Sequence, residues 1–161
     1  MKNPKNRRKA LEKMSRRISG FFRRRSDKIE VLKTVPLFND LNQKQMSEIA
    51  RHATEVTVTA ETVLAKQGSY GLEFMYIVEG SARVERDSQT INQLSKGDFF
   101  GEISLLDGGL RTASVIAETP MTLLVVHKQS FDHMLDKVAG LERKIIIALC
   151  HYLRTEEELH H

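Results

Sequence analysis

The chain has almost no cysteine: Cys150 stands alone among 161 residues, so no intrachain disulfide can form, and nothing calls for an oxidising compartment. Prolines are few, three, beside nine glycines, which excludes a collagen-like or low-complexity chain. No apolar run approaches the roughly 18 residues of a membrane span, and the N-terminus lacks the apolar stretch of a secretory signal. The expectation is a cytoplasmic protein. The six histidines, His52, His127, His133, His151, His160 and His161, show no paired spacing on adjacent strands, so a metal-dependent enzyme on a β scaffold has no ligand set here. Ser104 and Ser114 have no positioned histidine base, which leaves nucleophilic catalysis without support. Cys150, in an apolar helical run, reads as a core residue. The chain is expected to be no enzyme, and to carry no metal and no cofactor.

What remains is an ordinary globular composition, 40% hydrophobic and 29% charged, in a length that suits one domain with a modest appendage. The net charge of +4 is unevenly spread: residues 1–25 hold eleven Lys or Arg against the single acid Glu12, a local +10 that leaves −6 for the rest. A basic chain therefore contains a mildly acidic body. Leu11, Met14, Ile18, Phe21 and Phe22 recur at helical spacing among the arginines, so residues 1–26 read as a basic amphipathic N-terminal extension. Three readings of it stay open: a solvated terminal helix, a peripheral contact with an anionic membrane surface, and a docking segment for protein or nonspecific nucleic acid.

Residues 27–161 form the expected main domain. Pro36 ends a first short helix, and Asn42 with Gln45 forms a capping-box start for a second, whose apolar face is Leu37, Phe38, Leu41, Met46 and Ile49. The periodicity then shortens. The runs TEVTVTA, ETVLAK, EFMYIVEG, SARVER, TINQL, TASVIAE and MTLLVVH are short and rich in β-branched or aromatic residues, and glycines separate them as turns. About eight antiparallel strands, in a jelly roll or barrel, are predicted. Two helical patterns close the chain, with Phe131, Met134, Leu135 and Val138 in one and Leu141, Ile145, Leu149, Tyr152 and Leu153 in the other.

Chemistry concentrates in GDFFGEISLLDGGLRTASV, residues 97–115. A singly charged phosphodiester matches one guanidinium, which gives planar charge-assisted hydrogen bonds and keeps its proton; Arg111 is the candidate. A short helix starting near Gly101 would turn unpaired amides, those of Ile103 and Ser104, toward the same oxygens. Glu102 needs a different partner, for which a ribose hydroxyl is suitable, while Gly101 admits a close backbone approach and Thr112 adds a small hydroxyl. Taken residue by residue, Glu102 and Arg111 fit a structural ion pair better than a ligand site, and the glycines fit ordinary turns.

The order Phe100, Gly101, Glu102, then Arg111, Thr112, Ala113 and Ser114, resembles the phosphate-binding cassette of cyclic-nucleotide-binding domains, as in catabolite activator proteins, kinase regulatory subunits and cyclic-nucleotide-gated channels. PLFNDLNQKQMSEIA and GSYGLEFMYIVEGSARV are similar to the helical and hairpin motifs of that family, so the resemblance covers about residues 31–155. It implies a mainly β fold with flanking α, an eight-stranded antiparallel β-roll between N-terminal helices and two C-terminal helices. It also implies a non-catalytic sensor for cAMP or cGMP, with cAMP favoured by family frequency. Ligand-binding residues carried over are Gly101, Glu102, Ile103, Ser104, Arg111, Thr112 and Ala113. The family's base contacts come from a last helix that folds over the purine, here Lys144, Ile147, Ala148, His151 and Tyr152. No helix-turn-helix follows that helix within the sequence, so sequence-specific DNA binding is not expected, and the chain reads as a stand-alone sensor or a fragment of a larger one. The rival reading is a degenerate domain of the same fold that serves as a protein-interaction or membrane-surface module.

Overall fold

In the computed structural model, residue 22 and residues 24–159 are described. The basic extension therefore lies outside the described residues except for Phe22 and Arg24–Ser26, as do His160, His161 and the side chains of Tyr152 and residues 156–159. Two compact units emerge, one of Ala53–Lys128 and one of Phe22–His52 with the segment from Gln129 onward.

The first unit is all antiparallel. One sheet runs β1 (Thr54–Val58), β8 (Met121–His127), β3 (Glu73–Glu79), β6 (Phe99–Phe100). The other runs β2 (Val63–Ala65), β7 (Ser114–Ala117), β4 (Ala82–Arg86), β5 (Gln89–Leu94). These are the eight strands of a jelly-roll-like fold, and sequence neighbours alternate between sheets except at β4 and β5, which pair with each other as a hairpin. Alternation of side chains along each strand sends one face inward: Val56 and Val58, Met75 and Ile77, Leu123 and Val125, Val115 and Ala117 meet in one buried cluster. The strand absent from the sequence reading is β6. Two residues give no period, and Phe99 and Phe100 become a strand only by pairing with Tyr76 and Met75.

The helical unit holds α1 (Arg25–Leu32), α2 (Gln43–His52) and α5 (Leu141–Leu159), together with all of α4 (Lys128–Lys137) after its first residue. The expected capping box is present: Gln45 N donates to Asn42 Oδ1 at 2.9 Å and Asn42 N to Gln45 Oε1 at 3.0 Å. Gln45 Nε2 also donates to the carbonyl of Ala139 at 3.0 Å, which explains why this amide is buried. Phe38 and Phe131 meet with ring centroids 6.2 Å apart.

Two expectations for α5 need correction. Cys150 is exposed rather than in the core, and Leu153 is 66% exposed. The buried positions are Leu141, Ile145 and Ala148, a stripe with spacings of four and three. Cys150 lies two residues past it, turned about 200° around the helix.

Candidate functional site

The segment 97–115 folds as β6, a turn at Gly101, α3 (Glu102–Asp107), a loop, and then β7. Gly101 has φ +88°, a left-handed conformation that a Cβ disfavours. It reverses the chain so that α3 starts directly after β6. Leu105 N donates to Gly101 O at 2.9 Å as the helix's first turn closes. The amides of Glu102, Ile103 and Ser104 precede any intrahelical acceptor, as at every helix start.

All seven residues singled out in the sequence, Gly101, Glu102, Ile103, Ser104, Arg111, Thr112 and Ala113, line one cavity of about 510 Å³. That volume lies in the range of small-molecule sites, about 300–1,000 Å³. Beside the polar cassette groups the lining is apolar, with Ala65, Val84, Leu94, Phe100 and Val115, which also belong to or pack against the core of the roll. The cavity thus joins an anion-suited rim to a surface suited to a flat apolar body.

Arg111 is held from several directions. Its Nη2 donates to the carbonyl of Glu73 on β3. Its backbone is gripped by the turn after β2: Arg111 N donates to Ser69 O at 2.7 Å, Gly68 N to Arg111 O at 2.9 Å, and Gly71 N to Gly109 O at 2.9 Å. A bridge between Tyr70 and Leu110 completes this pairing. The guanidinium is half-buried, so its charge keeps much of its strength toward an anion. Glu102, also half-buried, opens α3, where a carboxylate interacts favourably with the helix dipole. Thr112 is exposed at the rim, and its carbonyl accepts from Arg86 Nε at 3.2 Å. Ser114 Oγ accepts from Gln67 N at 2.9 Å and so serves the loop around the cassette.

Three residues of this arrangement were not singled out in the sequence. Gly71 is buried, and a Cβ there would overlap the Ser104 side chain and come within 2.9 Å of Arg111 Nε. Glu73 contributes through its main chain, which no side-chain reasoning detects. Lys128 donates from Nζ to the carbonyls of Leu105 at 3.0 Å and Leu106 at 2.9 Å. The spacing of Gly68 and Gly71 was the one available signal, and in sequence it reads equally well as a turn. Of the residues expected near a base, Ile147 and His151 are exposed, Lys144 is half-buried and Ala148 is buried. Among the described residues no group of three His, Cys, Asp or Glu side chains could hold a metal ion, and no helix is long and apolar enough to cross a membrane.

Comparison with known proteins gives the same picture. The chain is 32% identical to a cAMP-dependent protein kinase regulatory subunit of Schizosaccharomyces pombe over 88% of its own length and 35% of the relative's. It is 35% identical to a cyclic nucleotide-gated potassium channel of Mesorhizobium japonicum over 70% of its length and 33% of the channel's. It thus spans about a third of these relatives. The crystal structure of the N-terminal domain of a transcriptional regulator from Streptomyces coelicolor superposes with a TM-score of 0.72 at 26% identity, covering 80% of this chain and 95% of that one. Residues 55–138 match the cyclic nucleotide-binding domain family, a stretch that contains every strand after Thr54, the whole cassette and α4. With more than half the chain matched and the cassette folded around one cavity, the chain belongs to the cyclic nucleotide-binding domain family.

Proposed function

We propose that the chain is a non-catalytic sensor that binds cAMP in preference to cGMP in the roll cavity. The observation that carries this reading is the convergence of Arg111 and the amide end of α3 on a cavity that is also lined by apolar residues of the roll. Arg111, Thr112 and Ala113, with the amides of Ile103 and Ser104, hold the cyclic phosphate. Gly101 and Glu102 meet the ribose, the carboxylate accepting from its 2′-hydroxyl. One guanidinium balances one phosphodiester charge, and the glycine lets the sugar approach the backbone. The preference for cAMP draws support from the cAMP-dependent relative, while the rim hydroxyl of Thr112 also permits cGMP.

Binding is coupled to α5, whose amides gain protection when the cavity fills. A switch of this kind requires a ligand that binds the two states unequally. The protein works in the cytoplasm, and its basic residues 1–25 supply a second contact, with an anionic membrane surface or a protein. Titration calorimetry with cAMP and cGMP tests the core of the proposal: saturable heat with cAMP at lower concentration than with cGMP supports it. Silence with both assigns the chain to the degenerate, interaction-only reading.

A further inference from the structure

The turn between β4 and β5 holds both of its central residues in the left-handed region, Asp87 at φ +51° and Ser88 at φ +65°. This is the I′ hairpin arrangement, which favours glycine, yet neither position is glycine here. The Asp87 side chain has a specific partner in the loop between β2 and β3. Gln67 Nε2 donates to Asp87 Oδ1 at 2.9 Å, and Asp87 N donates to Gln67 Oε1 at 2.9 Å, so one side-chain amide is engaged at both ends across 20 residues of chain. Each of the two elements joined in this way also holds the cassette. From the hairpin, Arg86 Nε donates to Thr112 O at 3.2 Å. From the loop, Gln67 N donates to Ser114 Oγ at 2.9 Å, Gly68 N to Arg111 O at 2.9 Å, and Ser69 O accepts from Arg111 N at 2.7 Å. All of these residues belong to the β-roll unit, and Gln67, Arg86 and Asp87 do not line the cavity.

We propose that Gln67 and Asp87 are positioning residues for the phosphate site: their clasp fixes the loop that seats the Arg111 backbone, and so aims its guanidinium into the cavity. The role rests on the cyclic-nucleotide reading of that cavity. Aim matters because a planar guanidinium binds through directional hydrogen bonds, which weaken steeply when misaligned. Gln67 immediately precedes Gly68 and Ser69, whose peptide groups take both the N–H and the carbonyl of Arg111. By charge alone, a carboxylate on the same unit disfavours an anionic ligand. Any affinity that Asp87 contributes therefore comes through the clasp.

The test uses the full chain and calorimetric titration with cAMP. Asp87→Gly suits the positive φ of the turn and removes the carboxylate. It should change the thermal midpoint little while weakening cAMP binding about fivefold, the net worth of one hydrogen bond. Loss of a negative charge alone would strengthen binding, so the sign separates the two causes. Gln67→Glu sets a second carboxylate against Asp87 and should weaken binding to a similar extent. Adding Asp87→Asn restores a donor and acceptor pair with reversed polarity, and should recover the affinity. In an Arg111→Ala background, Asp87→Gly should cost nothing further, as expected of residues that act through one another. Wild-type affinity in Asp87→Gly, or the same fivefold loss with and without Arg111, would overturn the positioning role. Amide exchange at Gly68 and Arg111 in the ligand-free protein reads the clasp without nucleotide, and Asp87→Gly should accelerate it about fivefold. Unchanged exchange there would overturn the clasp itself. A wild-type chain that binds no cyclic nucleotide would instead remove the functional reading and the phosphate role with it, while the ligand-free exchange separately decides the clasp.

Discussion

Gly101 lies so close to Arg111 that a Cβ on it would stand 2.6 Å from Nη1 and 3.0 Å from Nη2, and would also overlap the Glu73 carbonyl that accepts from the same guanidinium. The glycine is thus required twice, for φ +88° and for space. Gly101→Ala should destabilise the fold by about 1–3 kcal/mol, the usual range for a side chain forced into such a conformation. It should also displace Arg111 and weaken cAMP binding by more than the stability loss alone would suggest. Chemical denaturation beside calorimetric titration separates the two effects.

Arg111→Ala should weaken cAMP binding by about 100-fold or more, because it removes charge-assisted hydrogen bonds worth about 1.5–3 kcal/mol each. Arg111→Lys should recover only part of this, since an ammonium keeps the charge without the planar fork. Titration calorimetry reads both; wild-type affinity in either variant would refute the phosphate assignment.

Gly71→Ala should weaken binding although residue 71 lies outside the cassette, because its methyl would meet the Ser104 side chain and crowd Arg111 Nε. Ser104→Gly removes the first obstacle. The double variant should therefore bind better than Gly71→Ala alone, a coupling that residues in contact show and distant ones lack. A double-mutant cycle on cAMP affinity measures it.

In the helical unit, Asn42→Ala should cost about 1 kcal/mol, an ordinary N-cap loss. Gln45→Ala should cost more, about 2 kcal/mol, because it breaks the reciprocal cap and also deprives the Ala139 carbonyl of its donor. Urea denaturation of the two variants should give that order, and the reverse order would mean that the Gln45 bond to Ala139 contributes little.

A pH effect is expected on the other sheet. Arg83 donates to both carboxylate oxygens of Glu61, at 3.1 and 2.9 Å, and its hydrogen bonds and charge hold the Glu61 carboxyl below its ordinary value of 4.5. A lowered folded value means that the unfolded chain takes up the proton first as pH falls. The stabilisation is therefore complete above about pH 4.5 and disappears as pH drops through the folded value. The pair is solvent-exposed on the Glu61 side, so the effect is small and salt-sensitive. Wild type and Glu61→Gln should differ in thermal midpoint at pH 6 and converge as pH falls through the lowered folded value of Glu61; a constant difference would point to a cause other than this ion pair.

Much of the fold was legible because local physics dictates it. The Asn42 and Gln45 cap follows from two side chains three residues apart. The β-branched runs became β1 to β5, β7 and β8 because alternating apolar residues can be buried in a sheet. The cassette was visible as an order of residues, and the structure gathers all seven of its singled-out members on one cavity. Local pattern failed where burial depends on the exact face of a helix, as with Cys150 and Leu153.

By itself, then, the sequence determined the strand and helix types, the helix caps and the chemical inventory of the cassette, all properties of residues within a few positions of each other. Only the tertiary structure decided that β6 exists, that Gly71 must be small, that Glu73 serves through its carbonyl and that Lys128 closes α3. Arg111 meets Glu73 across 38 residues of chain, and Lys128 meets Leu105 across 23. Contacts at that separation arise only once the whole roll has brought its strands into register, and no local periodicity encodes them.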